Sequence, residues 1–324
     1  MKRIFNAIIV GAGRIGAFYD SPASKNILTH AHAFSGHSGF RLCGFVENDR
    51  AKADKAAKIW GVRAYGNIEE VLGQNDIDVV CVATPADSHY QIMKTLAKYD
   101  PLKLILLEKP ITKTIKEVKE ILGLYSKKGS VRVAVDYFRD YLPEISRIKA
   151  DIGKGAYGKF VGGAGFFSRG VMVDSHMISL IQNLLGPIGE CKIIDRQPGF
   201  SKGDPIISAL LKLKRGGRFY LNGLDSKLPI MLEADLFFEK RRVRICDLGR
   251  KVEIYKVLPS PIFKGYENLI KVSEYTTSFD RYMHYVADNI YRHLLSKEKL
   301  KCSLADSFKT FEICDKLARG SRKQ

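Results

Sequence analysis

Six residues, FNAIIV (Phe5 to Val10), run without a break into GAGRIG (Gly11 to Gly16). An uncharged, mostly apolar run of that length followed at once by glycines reads as a buried strand entering a tight turn. The pattern recurs. Leu42 to Val46, Val79 to Ala83, Leu102 to Leu107 and Val131 to Val135 are further apolar runs. Segments of helical spacing lie between them, TIKEVKEILGLYSKKG among them. Continuous apolar strands separated by helices demand a parallel sheet covered on both faces. The first part of the chain, residues 1–135, is therefore expected to be an α/β domain of the Rossmann kind, a doubly wound parallel sheet.

The remainder, residues 136–324, changes rhythm. Ile206 to Leu213 and Arg218 to Leu224 flank the hairpin signal KRGG. Met231 to Glu239, Val243 to Asp247 and Lys251 to Val257 follow as alternating strands. Helical patterns cover Arg281 to Leu295 and Leu304 to Leu317. This is the signature of a second, α+β domain on an open antiparallel sheet, with a last helix able to pack back on the first domain.

Composition narrows the function. No apolar run approaches the roughly 18 residues that span a bilayer. The start, MKRIFNAIIVGAG, leads into a glycine turn instead of a small-residue cleavage site, so it is expected to be a strand and not a leader. The 6 cysteines form no Cys-x-x-Cys pair, as expected of reduced thiols in a cytoplasm and not of a disulfide framework or a zinc site. The net charge is +18. Its lysines and arginines are scattered, apart from a small basic end at Arg319, Arg322 and Lys323. A nucleic-acid binder would gather them in a stripe or tail; a scattered excess fits a field that attracts anionic small molecules.

The glycine turn has a physical logic. Gly11 permits the bend, Gly13 lets the backbone approach a pyrophosphate, and Gly16 lets helix and strand pack closely. Glu47 ends the second strand, where a carboxylate accepts from ribose hydroxyls and repels a 2′-phosphate, favouring NAD over NADP; nearby Arg50 keeps NADP open. Between Tyr19 and Leu28 the sequence FYDSPASKNIL interrupts the helix after the turn, as a flap over the cofactor or as a variable surface loop. His30, His32 and His37 are not expected to share a metal ion, because residues two apart on a helix point to different faces.

GAGRIG, Glu47, ATPADSHY (Ala83 to Tyr90) and EKP (Glu108 to Pro110) follow one another at successive strand ends. VDYFRDYLPEI (Val135 to Ile145), AYGKFVGG (Ala156 to Gly163) and DSHMISLIQNLLG (Asp174 to Gly186) come later. Together they resemble the Gfo/Idh/MocA family, the relatives of glucose-fructose oxidoreductase and inositol dehydrogenase. The resemblance implies hydride transfer between a nicotinamide and a carbinol or carbonyl carbon of a sugar. It implies that Gly11, Gly13, Arg14, Ile15, Gly16, Glu47, Thr84, Pro85, His89, Glu108, Lys109 and Pro110 hold the cofactor, with Lys109 also the active-site lysine. A lysine at a strand's carboxyl end can exchange a proton with a substrate hydroxyl. Asp136 falls where relatives often carry Asn, and Arg139 could meet an anionic substrate group or form a structural ion pair.

Relatives carry Asp-x-Gly-x-His-x-x-Asp before a helix ending in glycine. Aligned on His176, the final glycine is Gly186, but the family's two aspartates fall on Met172 and Ser179, and its first glycine on Asp174. Lys109 and His176 are then expected to share the acid–base work. Asp174 is expected to cap the helix from Ser175 onward, with substrate contact by Asp174 or Ser179 as the other possibility. The assembly implied is a homodimer or homotetramer. A cofactor-binding sensor without turnover is the alternative function on the same fold.

Overall fold

The computed structural model describes residues 3–74, 76–199 and 201–320. Of the basic end, Arg322 and Lys323 lie outside the described residues, as do Met1 and Lys2 at the start.

The chain divides into two units, residues 1–141 with 280–308, and residues 142–279 with 309–324. The first division falls at Tyr141/Leu142, six residues beyond the boundary read from sequence, and a later segment returns to the first unit. The last helix belongs to the first unit as far as Phe308 and to the second from Lys309 onward.

In the first unit, β1 (Phe5–Val10), β2 (Phe40–Val46), β3 (Arg63–Tyr65), β4 (Val79–Val82), β5 (Leu104–Leu107) and β6 (Arg132–Val135) form a parallel sheet in the order β3-β2-β1-β4-β5-β6. Every residue of β4 and β5 is buried, as a strand covered on both faces must be. The crossovers carry α1 (His30–Gly36), α2 (Arg50–Trp60), α3 (Ile68–Gln74), α4 (Ala86–Leu96) and α5 (Ile115–Lys128). Local chemistry sets their ends. Asp49 accepts from Lys52 N to start α2, and Gly61 ends it in the left-handed region at φ 65°. Thr114 and Glu117 form a reciprocal capping box on α5. The returning helix α8 (Tyr282–Leu294) packs against α1 and against a short 3₁₀ turn, Phe138–Tyr141.

The second unit contains α6 (Pro143–Gly153), β7 (Phe160–Phe167), α7 (His176–Leu185), β8 (Ile188–Gln197), β9 (Ile206–Leu213), β10 (Arg218–Gly223), β11 (Leu232–Phe238), β12 (Arg241–Cys246), β13 (Lys251–Pro259) and β14 (Glu267–Thr276). Its eight strands run in the order β14-β13-β12-β11-β7-β10-β9-β8. The sheet is open and mainly antiparallel, as expected, with one exception: β7 and β10 are parallel. Strand β7 is inserted between β10 and β11 rather than at an edge; β8 runs in the same direction as β7, and the two reversals at β9 and β10 bring β10 back along it. The helix α9 (Leu304–Arg319) closes the described chain. No helix is long and apolar enough to cross a membrane among the described residues.

Candidate active site

The carboxyl ends of β1, β2 and β4 in the first unit open onto a cleft of about 840 Å³. Gly11, Gly13, Arg14, Ile15, Glu47, Thr84 and Pro85, all expected cofactor residues, line it, and Tyr19 from the inserted loop joins them. The three glycines are required for different reasons. Gly11 has φ +102°, and a Cβ there would lie 2.8 Å from the Ala83 and Thr84 backbone. A Cβ on Gly16 would lie 2.2 Å from Gly11 O, so Gly16 serves the turn's own packing and does not line the cleft. Around Gly13 the nearest atom would be 4.0 Å away. Nothing in the protein demands a glycine there; a ligand brought against the backbone does. A dinucleotide pyrophosphate fits that cradle.

Glu47 joins the cradle by two contacts. Its Oε2 accepts from Ala12 N at 3.1 Å and from Lys52 Nζ at 2.7 Å. Partial burial pushes its carboxyl up, but the bonds from Lys52 and the Asp49 backbone prevail and hold it below the usual carboxylate range. Lys52 escaped the sequence reading, although it lies only five residues from Glu47 and follows the α2 cap.

The helix expected after the glycine turn is a five-residue π-helical turn, Arg14–Phe18; regular helix begins only at His30. Asp20 gathers the end of the intervening loop. Its carboxylate accepts from Leu28 N at 2.6 Å, bonds to the Thr29 hydroxyl, and lies 2.9 Å from His32 Nδ1. The three sequence-adjacent histidines thus go to three places: His32 to Asp20, His37 to Asp288 at 3.6 Å, and His30 to Glu108.

At β5 the EKP segment turns through a cis Lys109–Pro110 bond. His89 was expected to line the cofactor. The structure instead buries it completely and places it outside the lining of the cleft, with Nδ1 3.0 Å from Pro110 O and Nε2 2.8 Å from Thr84 O. It ties two strand-end turns together. The likeness of its segment to the family's marked it as a site residue, but its partners are main-chain carbonyls, which no motif displays.

Glu108 and Asp136 end neighbouring strands whose last pair is Leu107 and Val135. His30 Nε2 donates to Glu108 Oε1 at 2.8 Å, and the Asp136 carboxyl lies close to both. His30, Glu108 and Asp136 each offer an atom within 4.8 Å of the others. That spacing admits a cation, but 2.8 Å is a hydrogen-bond contact. His30 Nδ1 also has no hydrogen-bond partner among the described residues, whereas a ligating histidine ordinarily donates through its other nitrogen. Burial drives the Asp136 carboxyl well above its ordinary range, and the Glu108 charge adds to this. Burial also opposes ionisation of Glu108, but the bond and charge of His30, then Lys109, win and keep Glu108 below the usual range. Asp136 is thus a buried member of this cluster, and Arg139 is buried with its guanidinium 4.6 Å from the Phe138 ring centre.

In the second unit, His176 is the first residue of α7 and is buried. Asp174 is not at the N-cap position. That position is Ser175, whose side chain makes no capping bond. Asp174 Oδ2 instead accepts from Arg169 N at 2.9 Å, closing the loop before the helix. A second carboxylate unforeseen from sequence stands beside it. Asp204 accepts from Met172 N at 2.8 Å and from Val173 N at 2.9 Å. A Cβ on Gly170 would lie 2.0 Å from that carboxylate. The segment leading to His176 is therefore held by two buried aspartates, and Ser179 is buried one turn further on.

Residues 5–137 match the family model described as an oxidoreductase family with an NAD-binding Rossmann fold. An inositol 2-dehydrogenase of Arthrobacter sp. (strain FB24) is 30% identical over 150 residues, 46% of this chain and 41% of the relative. The chain thus spans less than half of that relative's length. The WlbA dehydrogenase of Bordetella pertussis, solved with NADH and UDP-GlcNAcA, superposes with a TM-score of 0.78 at 17% identity, over 99% of this chain and 96% of that one. UDP-N-acetylglucosamine 3-dehydrogenase GnnA of Acidithiobacillus ferrooxidans does so at 0.78 and 14%, over 97% and 96%. At such identities the likeness is one of fold.

Proposed function

We propose that the chain is an oxidoreductase of the Gfo/Idh/MocA kind, a reading supported by the match of residues 5–137 to that family's NAD-binding Rossmann model, and that it is an NAD-dependent dehydrogenase or reductase acting on the CH–OH or carbonyl carbon of a sugar. The observation that carries the reading is the cleft with its cradle at Gly13 and the fixed carboxylate of Glu47 beside it. Bound NAD supplies the hydride acceptor. Glu47 orients the adenosine ribose by accepting from its hydroxyls through the remaining lone pairs of its carboxylate. Lys109, at the end of β5, takes the hydroxyl proton when the alcohol is oxidised and returns it to the oxygen in the reverse direction. His176 is the second acid–base group, presented by the first turn of α7, and Asp174 and Asp204 fix the approach to it.

The substrate class is a nucleotide-linked or otherwise anionic sugar. Two of the structural neighbours act on or bind UDP-sugars, and the +18 charge favours anions. The strands of the second unit expose Val161, Ile194, Tyr220, Phe237 and Val272. An apolar sheet face of that extent supports a homodimer or homotetramer, and the cysteine usage supports a cytoplasmic protein.

The test is a screen of the purified protein with NAD and NADP against free and nucleotide-linked sugars, followed by absorbance of the reduced cofactor. Turnover on a UDP-sugar supports the reading. Met172 and Ser179, standing where relatives carry aspartates, favour a cofactor-binding sensor as the second reading; tight NAD binding with no turnover on any sugar would establish it.

A further inference from the structure

His30, Glu108 and Asp136 are separated by up to 106 positions in sequence, yet their polar atoms meet within 4.8 Å of one another. His30 is fully buried and Asp136 is 2% exposed. Two buried carboxyls that bring oxygens within 4.8 Å of each other are best matched when one keeps its proton, because two carboxylates have only acceptors to offer each other. The bond from His30 decides which one keeps the negative charge. Nε2–H points at Glu108 Oε1 at 2.8 Å and stands 3.9 Å from Asp136 Oδ2.

We propose that Glu108 and Asp136 hold one proton in common, carried by Asp136 and donated to Glu108, and that His30 fixes this arrangement so that a single buried negative charge stands as the counter-charge of Lys109. This rests on the reading of Lys109 as the acid–base lysine. Asp136 then acts as a positioning residue. In its protonated form it presents the same donor-and-acceptor pair as the asparagine expected at that position, so the departure from the family pattern leaves the hydrogen bonding intact.

The surroundings agree. Cys81, Tyr141, Tyr282 and Cys302 also feel the pair. Burial pushes each of them up, so all four stay neutral. Lys109 is the cation whose charge bears on both carboxyls. A second ionised carboxylate here would have no further cation to answer it apart from His30.

A buried protonated carboxyl has its own infrared carbonyl band, which can be read near neutral pH without turnover. The wild-type protein is expected to show that band. Asp136→Asn removes it by removing the acid. Glu108→Gln also removes it, because Asp136 can then ionise and accept from the new amide. Absence of the band in the wild type overturns the proposal without any variant. So does survival of the band in Glu108→Gln, which would mean that burial alone protonates Asp136. A band that emerges only after chelator treatment would show a cation among the three residues and would equally overturn it. Failure to find a sugar substrate leaves these outcomes readable, so the two proposals fail separately.

Discussion

Lys52 donates to the same Glu47 oxygen that accepts from Ala12 N, at 2.7 Å and 3.1 Å. One carboxylate oxygen thus links the glycine turn to helix α2, leaving the other, which Asp49 N approaches at 3.3 Å, toward the cleft. Glu47→Ser is expected to weaken NAD about tenfold, or about 1.4 kcal/mol. The same change releases Lys52 to meet a 2′-phosphate, so NADP is expected to bind more tightly than to the wild type. Titration calorimetry with both dinucleotides measures the crossover.

Two neighbouring glycines should separate stability from binding. Gly11→Ala forces an L side chain into φ +102° against backbone 2.8 Å away, and is expected to cost about 2 kcal/mol or more in chemical unfolding. Gly13→Ala meets nothing within contact distance and should unfold like the wild type. Its cost appears in the cofactor, with NAD affinity falling about tenfold or more as the methyl group fills the cradle.

Lys109→Ala and His176→Ala are each expected to lower kcat by about 100-fold or more, the usual scale of general acid–base groups, while NAD affinity stays within about threefold. Steady-state kinetics beside equilibrium binding checks both. Near-normal turnover in either variant would remove that residue from the mechanism.

Asp204→Ala strips the acceptor from Met172 N and Val173 N at once. Leaving two such part-buried donors without their acceptor should destabilise the protein by about 1 kcal/mol or more. Hydrogen exchange at Met172 and Val173 should accelerate before global unfolding does. Unchanged protection at those amides would show that the loop is held some other way.

The carboxyl cluster has a pH signature. Asp136 titrates well above its unfolded value of 3.8. Below that value both states are protonated. Above it the unfolded chain releases a proton that the folded chain keeps, so this residue erodes stability as pH rises toward its folded pKa. Glu108, held below its ordinary value of 4.5, acts oppositely, contributing above that value and losing its contribution as pH falls through the folded pKa. Asp136→Asn removes only the first effect. Its stability relative to the wild type should therefore grow as pH rises from about 4 to about 8, as urea melts across that range would measure.

How much of this was legible in sequence depended on whether a signal was local. Strands β1, β4, β5 and β6 announced themselves because burial on both faces makes them continuously apolar. Strand β7 hid behind Gly162, Gly163 and Gly165. The last two are dictated by neighbours: a Cβ on Gly163 would lie 2.5 Å from Asp235 O, and one on Gly165 2.7 Å from the Phe219 ring. Strand β3 has only three residues, too few for a period. The glycine turn, Glu47 and EKP could be placed because strand ends are local. The partners of His30 could not, since 78 and 106 positions intervene, and Asp204 reaches Met172 across 32. Asp174 was misplaced by one residue because a capping aspartate and a loop-closing one look alike until the helix start is known.

The return of residues 280–308 to the first unit has a consequence for how this chain can be made. Tyr291 on α8 lies 6.0 Å, ring to ring, from Phe5 and 5.8 Å from Phe40, and its hydroxyl donates to Arg3 O. A Cβ on Gly39 would strike the Tyr291 ring at 2.2 Å. All six parallel strands have been synthesised by residue 135, but the aromatic plug at the base of β1 and β2 is still unmade. The ribosome must synthesise residues 142–279 before the first unit can finish, so the unit encoded first waits for a segment encoded after most of the second, and a gene fragment that ends at Tyr141 encodes a sheet without its stopper.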